Sequence, residues 1–326
     1  MLFRSGSRRA RIATDHLMRF PGKFTDSLVA DQLSNVSLSF LVDDLVVHRG
    51  GSGANIAFGL GSLGLNPILI GAVGLDFQDY RSWLERNGVD CESIHVSEVA
   101  QTARFVCTTD EAQNQIASFY AGAMSEARNV ELSPTVSRIT EAPLVIIGPD
   151  DPEAMLRHTD ECRQRGYEFA ADPSQQLARM DGDQIRLLID GAKYLFTNEY
   201  EAALTEQKTG WSATEILQRV EFRITTLGAK GARIEAASGA VTEVGCPQER
   251  TLADPTGVGD GFRAGFLAGV AKGLNHERAA QIGATLATLV IENVGPQEYR
   301  FEENDFISRI LATYGELAAE EISAVL

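Results

Sequence analysis

From about residue 143 the chain alternates short apolar runs, each ending in turn residues, with longer stretches of helical periodicity. The apolar runs are "PLVIIGPDD", "YEFAADPSQQ", "KYLFTNEYE" and "FRITTLGAKG", and helix-compatible segments fill 152–165, 176–191, 199–207 and 213–220. Upstream, "NPILIGAVG" (66–74) is a further run, preceded by a small-residue helix at roughly 54–63. Strands that are apolar throughout, separated by helices, predict a doubly wound, mostly parallel sheet flanked by helices, an α/β fold. Two segments break this pattern. "SNVSLSFLVDDLVVH" (34–48) alternates apolar and polar residues in its first half, and "TARFVCTTDEAQNQIASFY" (102–120) reads as strand, polar turn, strand. A period of two marks half-buried strands, so a small separate β-sheet with one open face is expected, lying over the large domain as a lid. The expected division is 1–15, 49–100 and 123–326 for the large α/β domain, with 16–48 and 101–122 for the lid.

A parallel sheet places a site before any motif is considered, because ligands in open α/β folds bind beyond the carboxyl ends of the strands. This chain puts Asp172 with Gln175 and Gln176 there, Asn198 with Glu201, and Thr226 with Gly228. The 326 residues are 44% hydrophobic, ample for a large core. A net charge of −16 and a pI near 4.8 argue against nucleic-acid and anionic-membrane partners, whose phosphates would be repelled. Cys91, Cys107, Cys162 and Cys246 are scattered without a CxxC pair, and the five histidines form no HExxH, so no zinc site is expected and the thiols read as reduced. No apolar run reaches transmembrane length and no signal peptide is visible, which predicts a cytoplasmic protein.

The stretch "DPTGVGDGF" (254–262) carries the chemistry. Gly257, Gly259 and Gly261 alternate around Asp260, and Phe262, Phe266 and Val270 follow at helical spacing. Glycines feeding a helix start let backbone N–H groups converge on one point, where the helix dipole adds positive potential. An aspartate at the lip of such an anion hole would repel a static phosphate. It makes sense as a base that takes a proton from a hydroxyl while the hole holds charge on a transferring phosphoryl group. The pattern alone fits a glycine-rich turn with a capping aspartate equally well. It is neither GxGxxG nor GxxxxGK[ST], which sets aside a dinucleotide fingerprint and a Walker-type ATPase. A second cluster, "RGGSGANIAFGLGSLG" (49–64), also opens a helix; Gly51 and Asn55 there suit a polyhydroxylated ligand, or a tight helix entry under the sheet.

Together, "GGSGANIAFGLGSLG" and "DPTGVGDGFRAGF" resemble the two signatures of the ribokinase-like (PfkB-type) carbohydrate and nucleoside kinases, in the same order and about 200 residues apart. "TNEYE" resembles that family's N-x-x-E element and "TTLGAKG" its nucleotide-loop element. "IATDHLMRFPGKF", "IASFYAGAMSEARN" and "FAADPSQQLARM" are similar to the actinobacterial adenosine kinases. The resemblance implies a ribokinase-like fold, ATP and Mg²⁺ as cofactors, and pairing of two copies through the lid; a potassium requirement comes from the family alone. It implies Asp260 as catalytic base and Gly257, Val258 and Gly259 as the anion hole. Asp15, Gly51 and Asn55 would hold the sugar, Ser39 would sit in the lid near the ligand, and Phe105 and Phe119 would stack on the base. Gln175 and Gln176 would line the nucleoside pocket, Asn198 and Glu201 would order Mg²⁺ and phosphate without a direct protein ligand set for the metal, and Thr226 and Gly228 would contact ATP.

The function these readings predict is ATP-dependent phosphorylation of the 5′-hydroxyl of adenosine to AMP. The alternatives are a ribose or fructose kinase on the same fold, or a catalytically impaired nucleoside-binding homologue. The start departs from the family: where an apolar strand is expected, "SGSRRARI" carries Arg8, Arg9 and Arg11. No strand is readable there. A cation at position 11 is costly to bury unpaired, so Arg11 is expected to turn to solvent or to the pocket and a carboxylate, or else the strand is shifted.

Overall fold

The computed structural model describes residues 7–9, 11–27, 39, 41–139 and 143–326. The chain opens with β1 (Ser7–Arg9), β2 (Ala13–Arg19), the one-turn α1 (Phe24–Ser27), β3 (Asp44–Gly50) and α2 (Ser52–Ser62). Next come β4 (Ile68–Gly74), α3 (Gln78–Arg86), β5 (Ile94–Ser97), β6 (Ala103–Thr109), β7 (Gln115–Tyr120) and α4 (Ser133–Val136). The regular α/β part runs β8 (Leu144–Ile147), α5 (Pro152–Arg165), β9 (Glu168–Ala171), α6 (Gly182–Ile189), β10 (Tyr194–Asn198), α7 (Glu199–Thr209), α8 (Ala213–Leu217) and β11 (Phe222–Thr226). A hairpin, β12 (Ala232–Ala236) and β13 (Val241–Val244), precedes α9 (Val258–Ala271), α10 (His276–Ile291), α11 (Glu303–Tyr314) and α12 (Glu316–Ser323).

Nine strands form one sheet in the order β13-β12-β11-β10-β9-β8-β1-β4-β5, parallel from β11 to β5 and antiparallel at the β12–β13 edge. Its strands are buried on both faces, and alternate residues enter two different cores. Ile146, Tyr194 and Phe196 face the side covered by α2, α9 and α10, while Val145, Ile147 and Leu195 face the side covered by α5 and α6. That two-sided burial is why these strands read as unbroken apolar runs. The small residues of α9 serve close helix packing: a side chain at Gly265 would meet the Gly283 backbone of α10 at 2.7 Å.

The unreadable start does form a strand. β1 lies at the centre of the sheet between β4 and β8, with Arg8 in register with Leu69 and Ile146. Backbone hydrogen bonding from two parallel neighbours overrides the lack of an apolar pattern there. The helix expected over 176–191 is also interrupted. A 3-10 turn, Ser174–Ala178, ends before Asp181, whose capping box with Gln184 starts α6 afresh.

The second sheet has four strands in the order β3-β2-β6-β7. The lid expected from alternation in 34–48 falls partly on 28–38 and 40, outside the described residues. Residues 13–15 and 49–50, expected in the large domain, belong to strands β2 and β3 of this sheet, because both strands continue unbroken to the junction with α2. In register across the sheet, His48, Asp15, Phe105 and Phe119 form one row and therefore share one face. The four cysteines are free thiols. Among the described residues, no helix is long and apolar enough to cross a membrane.

Candidate functional site

Two cavities meet beyond the carboxyl ends of the parallel strands. The first, about 510 Å³, is lined by Arg11, Asp15, Gly51, Ser52, Asn55, Phe105, Phe119, Gln175, Gln176, Ala178, Arg179, Thr256, Gly257 and Asp260. The second, about 570 Å³, is lined by Ser52, Ser174, Asn198, Glu199, Tyr200, Glu201, Thr226, Gly228, Gly257, Gly259, Asp260 and Arg263. Ser52, Gly257 and Asp260 belong to both. Every site residue expected from the sequence is therefore brought together except at three positions. Asp172 lines neither cavity and meets Arg263 behind them. The Val258 side chain packs against the core, leaving only its backbone at the helix start, and Ser39 is an exposed residue flanked by undescribed ones.

The junction is built by α9. Gly257 precedes it with φ of 80°, and a side chain there would meet Pro296 at 2.4 Å, so only glycine fits. Among the described residues no side chain caps this helix start; the Val258 N–H donates to Pro255 O at 3.4 Å, and Gly259 and Asp260 of the first turn line the second cavity. Asp254 pins the loop before it, accepting from the Thr256 and Gly295 N–H groups at 2.9 and 3.0 Å. Asp260 sits in the first turn, and Asn55 Nδ2 donates to its Oδ2 at 2.8 Å. Burial raises the Asp260 carboxyl above the ordinary carboxylate range, opposed by the Asn55 hydrogen bond and by the charges of Arg263 and Arg11, and assisted by Asp15. A carboxylate with raised affinity for a proton, open to both cavities, can accept one from a ligand hydroxyl.

Arg263, three residues after Asp260 on the same helix face, was not singled out from the sequence. Its guanidinium is buried; Nε lies 2.6 Å from Asp172 Oδ2, an Nη lies 3.9 Å from Glu201 Oε2, and the other donates to Gly259 O at 3.0 Å. It thus ties α9 to the loop after β9 and to α7. Burial pushes the Asp172 carboxyl up to about 6 against the pull of Arg263, and Arg263, facing three carboxylates, holds its proton more tightly than usual.

Asn198 and Glu201 form a reciprocal cap at the start of α7: Glu201 N donates to Asn198 Oδ1 and Asn198 N donates to Glu201 Oε2, each at 2.8 Å. Thr226 pairs with Asn198 across β10 and β11, which sets both at the same strand end. The loop after β9 faces both cavities, Ser174 towards one and Gln175 and Gln176 towards the other. Ser174 holds the left-handed conformation with φ of 44°, a strained state for a residue with a side chain. Gln176 is buried, and its Oε1 has no hydrogen-bond partner among the described residues.

On the small sheet, burial raises the Asp15 carboxyl, with Arg11 as the strongest opposing charge. Phe105 and Phe119 are half-buried beside it. Gly51, with φ of 90°, lets the chain pass the Arg11 carbonyl, which a side chain would meet at 2.3 Å. Arg11 turns into the first cavity, as one of the expectations had it, but among the described residues it forms no ion pair with the carboxylate expected there. Its guanidinium lies 4.6 Å from the centre of the Phe119 ring, its Nε is buried without a hydrogen-bond partner, and burial lowers its proton affinity against the charges of Asp15 and Asp260. Arg179, Thr256, Ser52, Ser174 and Tyr200 are further lining residues that the sequence reading did not name. Among the described residues no group of three His, Cys, Asp or Glu could hold a metal ion.

Comparison with known proteins agrees with this architecture. A nucleoside kinase of Methanocaldococcus jannaschii is 32% identical over 255 residues, 77% of this chain and 81% of that protein. An ATP-dependent ribose-1-phosphate kinase of Halopiger xanaduensis is 29% identical over 67% of this chain and 72% of its own length. The structure of Burkholderia thailandensis nucleoside kinase in complex with inosine superposes with a TM-score of 0.83 at 32% identity, covering 96% of this chain and 99% of that one. The same enzyme in complex with ADP-inosine gives 0.80 at 34% identity, covering 96% of each chain. The fold is ribokinase-like, and the family model for pfkB family carbohydrate kinases matches residues 14–303. The chain belongs to the pfkB family of carbohydrate kinases.

Proposed function

We propose that this protein transfers the γ-phosphoryl group of ATP to the 5′-hydroxyl of a purine nucleoside, adenosine above all. The observation that carries the reading is the meeting of two cavities at Asp260 beside an uncapped helix start. One cavity is faced with Asp15 and two phenylalanines, which suit a sugar and a base. The other is rimmed by Asn198, Glu201, Thr226 and Gly228, which suit a polyphosphate. The unpartnered Gln176 Oε1 awaits a donor such as an adenine amino group or a purine ring N–H. The relatives named for nucleosides, and the solved complex with inosine, support the same substrate class.

In this reading Asp260 removes the hydroxyl proton as the oxygen attacks. The N–H groups at the start of α9 receive the charge on the transferring phosphoryl group, where they are already oriented and need no reorganisation. Asp15 holds the sugar hydroxyls so that the attacking oxygen faces Asp260. The side-chain oxygens of Asn198, Glu199 and Glu201 rim the second cavity, beside Arg263, and such oxygens suit a hard cation retaining its waters. Mg²⁺ bound there with ATP would neutralise phosphate charge. The small sheet would close as a lid and exclude water, and its outer face, with Leu45, Val47 and Ile116 exposed, would pair two copies.

A second reading has its own observation. Arg11 and Arg179 both line the acceptor cavity, and two cations there suit a phosphorylated pentose, the acceptor named for the Halopiger relative. A coupled ATP-consumption screen over adenosine, inosine, guanosine, cytidine, ribose, fructose and ribose 1-phosphate decides among these. Adenosine with the highest kcat/KM is the expected result. A preference for a free or phosphorylated sugar would replace the nucleoside reading. Asp260→Asn should lower turnover about 10²–10⁴-fold with little change in acceptor affinity; undiminished turnover would remove Asp260 from the role of base.

A further inference from the structure

Behind Asp260 lies a chain of buried and half-buried side chains whose hydrogen bonds all point one way. The Trp83 indole Nε1 donates to Gln297 Oε1 at 3.1 Å. Gln297 Nε2 donates to Asn55 Oδ1 at 2.9 Å and to the Tyr80 hydroxyl. The Tyr80 hydroxyl donates to Gly50 O at 2.9 Å, and Asn55 Nδ2 donates to Asp260 Oδ2 at 2.8 Å. Gln297 is 1% exposed and Asn55 6%. These residues come from α3, α2, α9 and the loop after α10, separated by up to 242 positions along the chain.

The direction of the chain is forced by its ends. An indole N–H is a donor only, while a backbone carbonyl and a carboxylate are acceptors only. The end of the Gln297 carboxamide that faces Trp83 must therefore be the oxygen. Its NH₂ is left to face Asn55 and Tyr80, with one hydrogen for each. That in turn fixes the Asn55 carboxamide with its oxygen towards Gln297 and its NH₂ towards Asp260. An Asn side chain alone has two nearly isosteric orientations, and only one of them gives Asp260 a hydrogen. Here the choice is made two residues away.

We propose that Gln297 is a positioning residue for phosphoryl transfer: oriented by Trp83, it locks the Asn55 carboxamide so that its N–H fixes the Asp260 carboxylate at the junction of the two cavities. The inference rests on Asp260 acting as base. Through Tyr80 the same glutamine also holds the carbonyl of Gly50, the last residue of β3, where the small sheet joins α2. The catalytic carboxylate and the root of the small sheet are thereby set by one side chain. Gln297 lines neither cavity, so its effect reaches the reaction through Asn55.

The other charged and titratable groups that bear on Asp260 are Arg263 on α9, Arg11 and Asp15 at the small-sheet root, Asp172 after β9 and the Tyr299 hydroxyl after α10. None of them contacts Gln297 in the hydrogen-bond chain, so their contributions stay in place when it is changed. The Asn55 hydrogen bond opposes the rise that burial imposes on Asp260. Loosening it should raise the proton affinity of Asp260 further and move the acid limb of kcat to higher pH.

The test is the pH profile of Gln297→Met, with native protein and Asp260→Asn measured alongside. Gln297→Met keeps length and packing but removes both polar atoms. Its kcat at neutral pH should fall about tenfold, the size of one lost hydrogen bond in the transition state. Its acid limb should lie at higher pH, and KM for ATP should stay within about twofold. Trp83→Phe removes the donor that orients Gln297 while keeping an aromatic ring against Phe58 and Arg49, and should shift the same limb in the same direction; it carries the readout if Gln297→Met fails to fold. A folded variant with the native kcat and acid limb would overturn the inference, as would one whose melting temperature falls while its limb stays in place. If native protein turns over no acceptor, or Asp260→Asn is as active as native protein, the functional reading itself fails and takes this inference with it.

Discussion

Replacing Arg11 by serine should make this protein a better enzyme for nucleosides. The guanidinium rests 4.6 Å from the centre of the Phe119 ring, on a face that a bound base would need. A nucleoside must therefore displace a cation–π contact, worth about 0.5–2 kcal/mol. Relief of that competition corresponds to a KM for adenosine lower by roughly 2- to 30-fold, with KM for ATP unchanged, since Arg11 lines only the acceptor cavity. A second readout has a definite sign. The Arg11 charge opposes the rise of the Asp260 carboxyl. Its removal leaves Asp260 holding its proton to higher pH, so the acid limb of kcat/KM, which reports the free enzyme, should move up. The assay is steady-state kinetics from pH 5 to 9 on both proteins, with adenosine and with ribose 1-phosphate. For the phosphorylated sugar the expected change is opposite, a higher KM, because a charged hydrogen-bond donor is lost. An adenosine KM that is unchanged or raised in the variant would refute the argument that Arg11 and the base compete for Phe119.

Phe105→Ala and Phe119→Ala should each weaken adenosine binding by about 1–3 kcal/mol and leave ATP binding nearly unchanged; isothermal titration with each ligand reads this, and a larger loss for ATP would put the small sheet over the wrong substrate. Arg263→Met leaves Asp172 buried without its partner, a cost of about 3–5 kcal/mol. The melting temperature should fall by roughly 10 °C, and Arg263→Met/Asp172→Leu should regain part of it in calorimetry; a single variant as stable as the native protein would show that the pair does not clamp α9. Val47→Lys places a charge on the outer face of the small sheet and should convert a dimer to monomer in sedimentation velocity, whereas a native protein that sediments as a monomer would remove the pairing proposal.

Much of the scaffold was legible because two-sided burial writes itself into composition. β8, β9, β10 and β11 are unbroken apolar runs, since each residue meets one of two cores. The placement of Asp260 at a helix start was legible from glycine spacing, and the shared face of Asp15, Phe105 and Phe119 follows once the register of three strands is known. β1 was not legible. Its residues carry no apolar pattern, and its place is set by the hydrogen-bonding edges of β4 and β8, which arrive from 61 and 138 residues downstream. The lid boundaries slipped for a related reason: β2 and β3 run on into the junction with α2, and nothing in local alternation marks where one domain ends.

The residues that escaped the sequence reading share one physical property. Arg263 and Gln297 are both buried and both polar, and each stands in a segment whose pattern reads as ordinary helix or loop; Asp172, which its strand-end position did mark, is equally buried, but its partner was not marked. Hydrophobic periodicity reports where the chain leaves water. It carries no information about the partner that a polar group must find there, and leaving such a group unpaired costs on the order of 1–3 kcal/mol, more if it is charged. The partners lie far apart in sequence: Arg263 meets Asp172 across 91 positions, and Gln297 meets Asn55 across 242. A polar residue that interrupts an apolar helical face is thus the local trace of a long-range contact. In α9 that trace was present: Arg263 falls on the face shared with Asp260, among phenylalanines and glycines, where an unpaired cation could not be kept. Its presence in that face already implied a carboxylate facing the helix, and Asp172, at the carboxyl end of a buried strand, was the nearest one the parallel sheet could supply.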